Sequence, residues 1–285
     1  MDGFGAGVSD SGRPALICLH GFAQHGDSWD EVAALLARRG WEIVAPDLPE
    51  LALRVGEDGD ALGAVCADVA ALIRDAFRQS ARLPILVGYS MGGRIALEAV
   101  LRAQAAGDPL PLGGLVLESA GLGPADDSEH EQLRRRNAEW AARMHDEGVE
   151  AFMIWWEDLP LFASQRSLPE GVRASLRDGR LRNDSETLVL ELVGWGQHCQ
   201  ARKAASLACL DGLASRGVPC AYFAGGLDRK YKAIAEEIAV AAASVEVRVF
   251  PGAGHNIHLE DPEAFAGALA AWCENTLLRT TPACG

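Results

Sequence analysis

Six short apolar runs recur along the chain, and five longer stretches of helical periodicity are interleaved with them. The runs are Pro14–His20, Trp41–Pro46, Leu83–Tyr89, Leu112–Glu118, Pro219–Ala224 and Val245–Phe250. Most are apolar at successive rather than alternate positions, the pattern of strands covered on both faces. Ser28–Arg39, Ala61–Ser80, Met91–Ala106, Arg229–Ala243 and Pro262–Leu278 carry apolar residues at helical spacing. Strands that alternate with helices in this way imply an α/β fold with a doubly wound, mostly parallel sheet.

One interval breaks the rhythm. From Ser119 to Val218 lie nearly a hundred residues, whereas a crossover helix with two short loops needs about 20 to 30. The segment 121–205 is mostly helical in pattern and holds four of the seven tryptophans, Trp140, Trp155, Trp156 and Trp195. No Pro/Gly/Ser-rich linker flanks it. It is therefore expected to be a helical lid inserted after the strand ending near Ser119, with residues 1–120 and 206–285 forming the core.

Composition narrows the function. With 285 residues, 49% hydrophobic and 23% charged, the chain can bury a full core. The balance of 26 basic against 40 acidic residues leaves a net charge of −14, which argues against nucleic-acid binding through the phosphate backbone. The only lysines are Lys203, Lys230 and Lys232, so a bound anion would meet a few placed guanidinium forks. Seven cysteines without a C-x-x-C pair exclude a zinc ribbon or dithiol motif and disfavour a complete disulfide framework. Cys18 and Cys220 sit in apolar runs and read as small hydrophobes. Met1–Gly12 has no basic or apolar region of a secretory signal. No apolar stretch is long enough to span a membrane, and Cys284 does not fit a prenylation box. The expected compartment is the cytoplasm.

The sharpest motif is Gly88-Tyr89-Ser90-Met91-Gly92-Gly93, a G-x-S-x-G sequence where an apolar strand ends and a helix begins. A turn this tight needs glycine two residues either side of the serine, and it holds the hydroxyl out at the strand's end. The helix N-terminus beneath favours developing negative charge. His20-Gly21-Phe22 follows the first strand, so the N–H groups of Phe22 and Met91 are candidates for an oxyanion hole. His20 itself is expected to make a structural hydrogen bond. Asp228 follows the fifth strand and His255 the sixth, both on the sheet edge that carries Ser90. The aspartate would orient the histidine, and the histidine would take the serine proton. His258 competes with His255 but comes late in its loop, and an aspartate placed like Asp228 often serves only as a helix cap.

With these residues the chain resembles the α/β-hydrolase superfamily over nearly its whole length. More narrowly, it is similar to the 2-succinyl-6-hydroxy-2,4-cyclohexadiene-1-carboxylate synthases of menaquinone biosynthesis. The elbow Gly88–Arg94 matches G-Y-S-x-G-G-R, and Gly254-His-Asn-Ile-His258 matches G-H-N-x-H. Trp156 with Pro160-Leu-Phe162, Arg180-Leu-Arg-Asn183 and Asp228-Arg-Lys-Tyr231 match further family patterns, and Gly194-Trp-Gly-Gln197 matches one residue short. The family usually carries an aspartate after its first lid arginines, whereas Arg134-Arg-Arg136 precedes Asn137. The functional arginine of the three stays open, with Arg134 and Arg135 as first candidates.

The resemblance implies elimination of pyruvate from a cyclohexene substrate with three carboxylates. Ser90, activated by His255, would act as base, and no metal or organic cofactor is required. Arg94, one helical turn after Ser90, joins Arg180, Tyr89, Trp156 and Phe162 as substrate-binding candidates for a small polycarboxylate. The competing readings are a carboxylesterase or carbon–carbon bond hydrolase working through an acyl-enzyme, and a receptor without catalysis.

Overall fold

A computed structural model describes residues 12–48 and 59–280. The targeting expectation for Met1–Gly12 and the prenylation reading at Cys284 fall outside these residues, apart from Gly12. The sheet is built from β1 (Leu16–Leu19), β2 (Ile43–Val44), β3 (Ile85–Tyr89), β4 (Gly114–Glu118), β5 (Cys220–Gly225) and β6 (Glu246–Phe250). All neighbours are parallel, in the order β2-β1-β3-β4-β5-β6.

The core helices are α1 (Asp30–Ala37), α2 (Ala61–Ser80) and α3 (Met91–Ala105). After β4 come α4 (Asp127–Glu157), α5 (Glu170–Leu181), α6 (Ser185–Gly194) and α7 (Lys203–Ser215). Beyond β5 lie α8 (Arg229–Ala241), the short α9 (Ile257–Glu260) and α10 (Pro262–Thr280). Tight 3-10 turns span Gly26–Trp29, Pro160–Ser167 and Gln197–Cys199. The first of these takes up the start of the stretch expected to be helical from Ser28.

The apolar runs are continuous because both sheet faces are covered. Along β1, Ile17 and Leu19 face one core while Leu16 and Cys18 face the other. Along β5, Tyr222 and Ala224 oppose Ala221 and Phe223 in the same manner. The first face packs against α2, α3, α7 and α8. The second packs against α1 and α10, around Trp29, Trp41, Phe265 and Trp272. The edge strands differ. β2 keeps only two paired residues, fewer than the run Trp41–Pro46 suggested, and β6 exposes Glu246 and Arg248, as suits strands with a neighbour on one side only.

The residues between β4 and α7 build a third apolar cluster. Ala141, Met144, Phe152, Met153, Trp156, Phe162, Leu188 and Leu192 pack on one another and on Phe22 and Ala23 of the β1 loop. α4 is interrupted at Gly148, whose φ of +79° is ordinary only for glycine. The fold therefore brings three features to one edge of the sheet: the loop after β1, the turn after β3 and the helical segment after β4. Because β2 and β3 flank β1 on opposite sides, this edge lies at the topological switch point, where open α/β sheets bind ligands.

Candidate active site

Ser90 follows β3 with φ +47° and ψ −103°, a conformation that L-residues rarely adopt. Its N–H donates to Glu118 O of the adjacent strand at 2.8 Å. A Cβ on Gly88 would lie 2.6 Å from the Gly93 backbone, and one on Gly92 would run into Leu19 O. The two glycines expected at this turn are therefore enforced by close backbone approach. Met91 opens α3, so its N–H lacks an intrahelical acceptor, and Phe22 lines the same cavity as Ser90.

His255 sits in the loop after β6 and is buried. Its Nε2 lies 3.0 Å from Ser90 Oγ and its Nδ1 2.8 Å from Asp228 Oδ2. The other oxygen of Asp228 accepts the N–H groups of Lys230 and Tyr231, capping α8. The cap and the histidine partner are thus the same carboxylate, and the helix N-terminus holds it in place. The imidazole is boxed by Tyr231, Tyr89 and Phe162, with ring centroids at 4.6, 5.3 and 6.0 Å.

His258 is used elsewhere. Its Nδ1 pairs with Glu118 Oε2 at 2.7 Å, its N–H donates to Glu118 Oε1, and its ring stacks on Trp29 at 3.9 Å. His20 is buried and accepts the Leu48 N–H at Nε2, the structural role expected of it. Burial lowers its pKa to about 4, against an opposing bond to Gly21 O.

Ser90 and His255 open onto a cavity of about 100 Å³, lined also by Tyr89, Arg94, Trp156, Phe162 and Arg180. Arg94 is buried and donates to Trp195 O at 2.5 Å, and burial lowers its pKa to about 10. Arg180 is buried over the Phe162 ring, with Glu157 Oε1 at 3.0 Å and Gln165 Oε1 at 3.1 Å. Two larger clefts, of about 460 and 630 Å³, lie against α5 and share Arg180 but include neither Ser90 nor His255.

The structure corrects the choice among the lid arginines. Arg134 and Arg135 both turn to Glu131, at 2.7 and 2.6 Å, on an exposed face of α4. Arg136 lines the cavity, with its guanidinium 4.5 Å above the Trp140 ring and bonded to Asn137 Oδ1. At about 100° per residue, three consecutive arginines cannot share a face, and the sequence alone did not tell which one faced inward. Glu191 and Gln24 of the cavity lining were not foreseen. Glu191 left one signal, an acidic residue inside the apolar run Leu188-Val-Leu-Glu-Leu192. Burial raises its carboxyl pKa to about 8, against the hydrogen bond from Ala23 N–H.

Residues 16–268 match the alpha/beta hydrolase family. The 2-succinyl-6-hydroxy-2,4-cyclohexadiene-1-carboxylate synthase of Serratia proteamaculans is 30% identical over 279 residues, covering 93% of this chain and 95% of that protein. The enzyme of that name from Klebsiella pneumoniae is 34% identical over 265 residues, covering 91% and 94%. Among solved structures, MenH from S. aureus superimposes with a TM-score of 0.81 at 24% identity, over 95% of this chain and 97% of that one. The chain belongs to the alpha/beta hydrolase family and, within it, to the 2-succinyl-6-hydroxy-2,4-cyclohexadiene-1-carboxylate synthases.

Proposed function

We propose that this protein is a carbon–oxygen lyase of menaquinone biosynthesis, eliminating pyruvate from 2-succinyl-5-enolpyruvyl-6-hydroxy-3-cyclohexene-1-carboxylate. One observation carries the reading: the hydrogen-bonded series Ser90–His255–Asp228 opens onto a cavity lined by Arg94, Arg136 and Arg180. Three guanidinium groups at one cavity suit a substrate with three carboxylates, whereas a neutral ester offers no charge for them to bind. The relatives named above bear the name of this activity.

In the proposed reaction His255 Nε2 takes the hydroxyl proton as Ser90 Oγ removes the ring C2 proton beside the succinyl ketone. Asp228 keeps Nδ1 protonated and stabilises the imidazolium. The N–H groups of Phe22 and Met91 hold the enolate oxygen. The electron pair then passes through the C3=C4 bond to form the 2,4-diene, and the C5–O bond breaks. Pyruvate leaves as its enolate, and the proton held by His255 is returned as the enolate becomes the ketone. Every step uses this chain's own side chains and backbone.

Residues 121–202 form the lid in this reading. The boundary stops short of 205 because α7 begins at Lys203 and packs on α3 and β5. A cavity of about 100 Å³ is smaller than the roughly 300 Å³ or more of ordinary ligand pockets, so side chains lining it must shift to seat a tricarboxylate in this reading. No described helix is long and apolar enough to cross a membrane. Among the described residues six cysteines are free, and a cytoplasmic location is part of the proposed reading.

The test is direct. Purified protein supplied with the enolpyruvyl substrate should release one pyruvate per diene formed. Rapid-quench mass spectrometry during turnover should find Ser90 unmodified. An acyl adduct on Ser90, or hydrolysis of neutral esters without pyruvate release, returns the protein to the esterases.

A further inference from the structure

Gly21, Phe22, Ala23 and Gln24 form a tight turn after β1. The Gly21 carbonyl accepts the Gln24 N–H at 3.2 Å, and the Gly21 N–H donates to Gln24 Oε1 at 3.1 Å. The third residue, Ala23, has φ +56°, which is the requirement of a type II turn and is ordinarily met by glycine or asparagine. Phe22 N–H belongs to the same peptide plane as the Gly21 carbonyl, so the geometry of this turn sets the direction of that donor.

Both backbone polar groups of the strained residue are held from the segment between β4 and α7. The Ala23 N–H donates to Glu191 Oε2 at 3.0 Å, and the Ala23 carbonyl accepts from Asn183 Nδ2 at 3.2 Å. Ala23, Asn183 and Glu191 are all buried. Glu191 stands on α6, whose end is itself tied down: Trp195 donates to Ala61 O at 3.1 Å and accepts from Arg94. α6 is therefore a strut between the core and the turn. Among the described residues Glu191 Oε1 has no hydrogen-bond partner, so the one hydrogen bond of its carboxyl is to the turn.

We infer that Glu191 and Asn183 are positioning residues that hold the left-handed Ala23 turn and thereby aim the Phe22 N–H at the developing oxyanion. The inference rests on the role proposed above for Ser90 and the oxyanion hole. Burial raises the Glu191 pKa to about 8, so the side chain is a neutral acid near pH 7 and glutamine is its closest replacement.

The experiment compares Glu191→Leu, Glu191→Gln and Asn183→Ala. Each is assayed for kcat and KM of pyruvate release, and for the rate at which a fluorophosphonate labels Ser90. Glu191→Leu should lower kcat at least about tenfold with KM within about twofold, and slow labelling in parallel, since a misplaced oxyanion donor acts on the transition state. Glu191→Gln should restore most of both losses, and Asn183→Ala should repeat the pattern of Glu191→Leu. Wild-type kcat and labelling in folded Glu191→Leu and Asn183→Ala overturn the inference. So does a raised KM at constant kcat, which marks substrate contacts, or loss of folding in both variants, which marks a stabilising role. Labelling separates this question from the lyase reading. If no form releases pyruvate but labelling still ranks glutamine above leucine, the positioning role stands and the substrate assignment falls.

Discussion

At the scale of single residues, Asp228 does two jobs that substitution can separate. One oxygen caps α8 and the other holds His255. Asp228→Ala should cost about 1 kcal/mol of stability through the lost cap and lower kcat by about 10³ or more. Asp228→Asn retains a capping oxygen but presents an amide to Nδ1, which favours the wrong tautomer. It should melt near the wild-type temperature and still lose most of its turnover, and a thermal melt beside a rate assay reads both. Glu191 contributes a pH dependence of opposite sense to that of paired carboxylates. Its folded pKa of about 8 lies above the ordinary 4.5, so between those values the unfolded chain binds fewer protons than the folded one. Stability should fall as pH rises through this window, by up to about 1.4 kcal/mol per unit, and level off above about 8. Urea melts of wild type and Glu191→Gln from pH 5 to 9 check this, because the variant should lack the slope.

At the scale of elements, α4 shows how helical phase sorts three identical neighbours between cavity and solvent. Arg136, Asn137 and Trp140 lie on its cavity face, whereas Arg134 and Arg135 pair with Glu131 toward solvent. Arg136→Ala should therefore lower kcat/KM by roughly 1.5–3 kcal/mol in transition-state terms, the size of a lost charge-assisted bond. Lysine should restore only part, for want of the planar fork. Arg134→Ala and Arg135→Ala should stay within about twofold of wild type, since exposed ion pairs contribute little. Steady-state rates on the tricarboxylate decide between these outcomes. The loop after β6 has a similar division of labour. His255 faces Ser90 while His258 anchors the loop to Glu118, whose carbonyl also receives the Ser90 N–H.

At the scale of the whole molecule, the segment proposed as a lid is unevenly attached. α5 buries only Arg180, whereas α6 buries Leu188, Glu191 and Leu192 and is pinned through Trp195. Local opening follows buried contact, so α5 is the part expected to move when substrate passes. Hydrogen exchange should find α5 amides exchanging well before those of α6 and of β3 to β5, with α5 slowed when a tricarboxylate occupies the cavity. Equal protection of α5 and α6 would mean that the lid opens as one body.

What the chain by itself determined is whatever depends on local pattern. Continuous apolar runs dictated buried parallel strands, and the spacing of Gly88, Ser90 and Gly92 dictated the elbow, because backbone clash admits no larger side chain there. The placement of Ser90, Asp228 and His255 just past β3, β5 and β6 brought the three to one edge, because parallel strands put all their carboxyl ends on one side. Only the tertiary structure decided which arginine of Arg134 to Arg136 faces inward, that Asp228 both caps and pairs, that His258 belongs to Glu118, and that Glu191 and Asn183 reach back to Ala23. Those outcomes rest on contacts between residues far apart in the chain, such as Ala23 with Asn183 and Glu191, 160 and 168 positions away. Helical phase and burial fix such contacts, and neither is set until the helices have packed on the sheet.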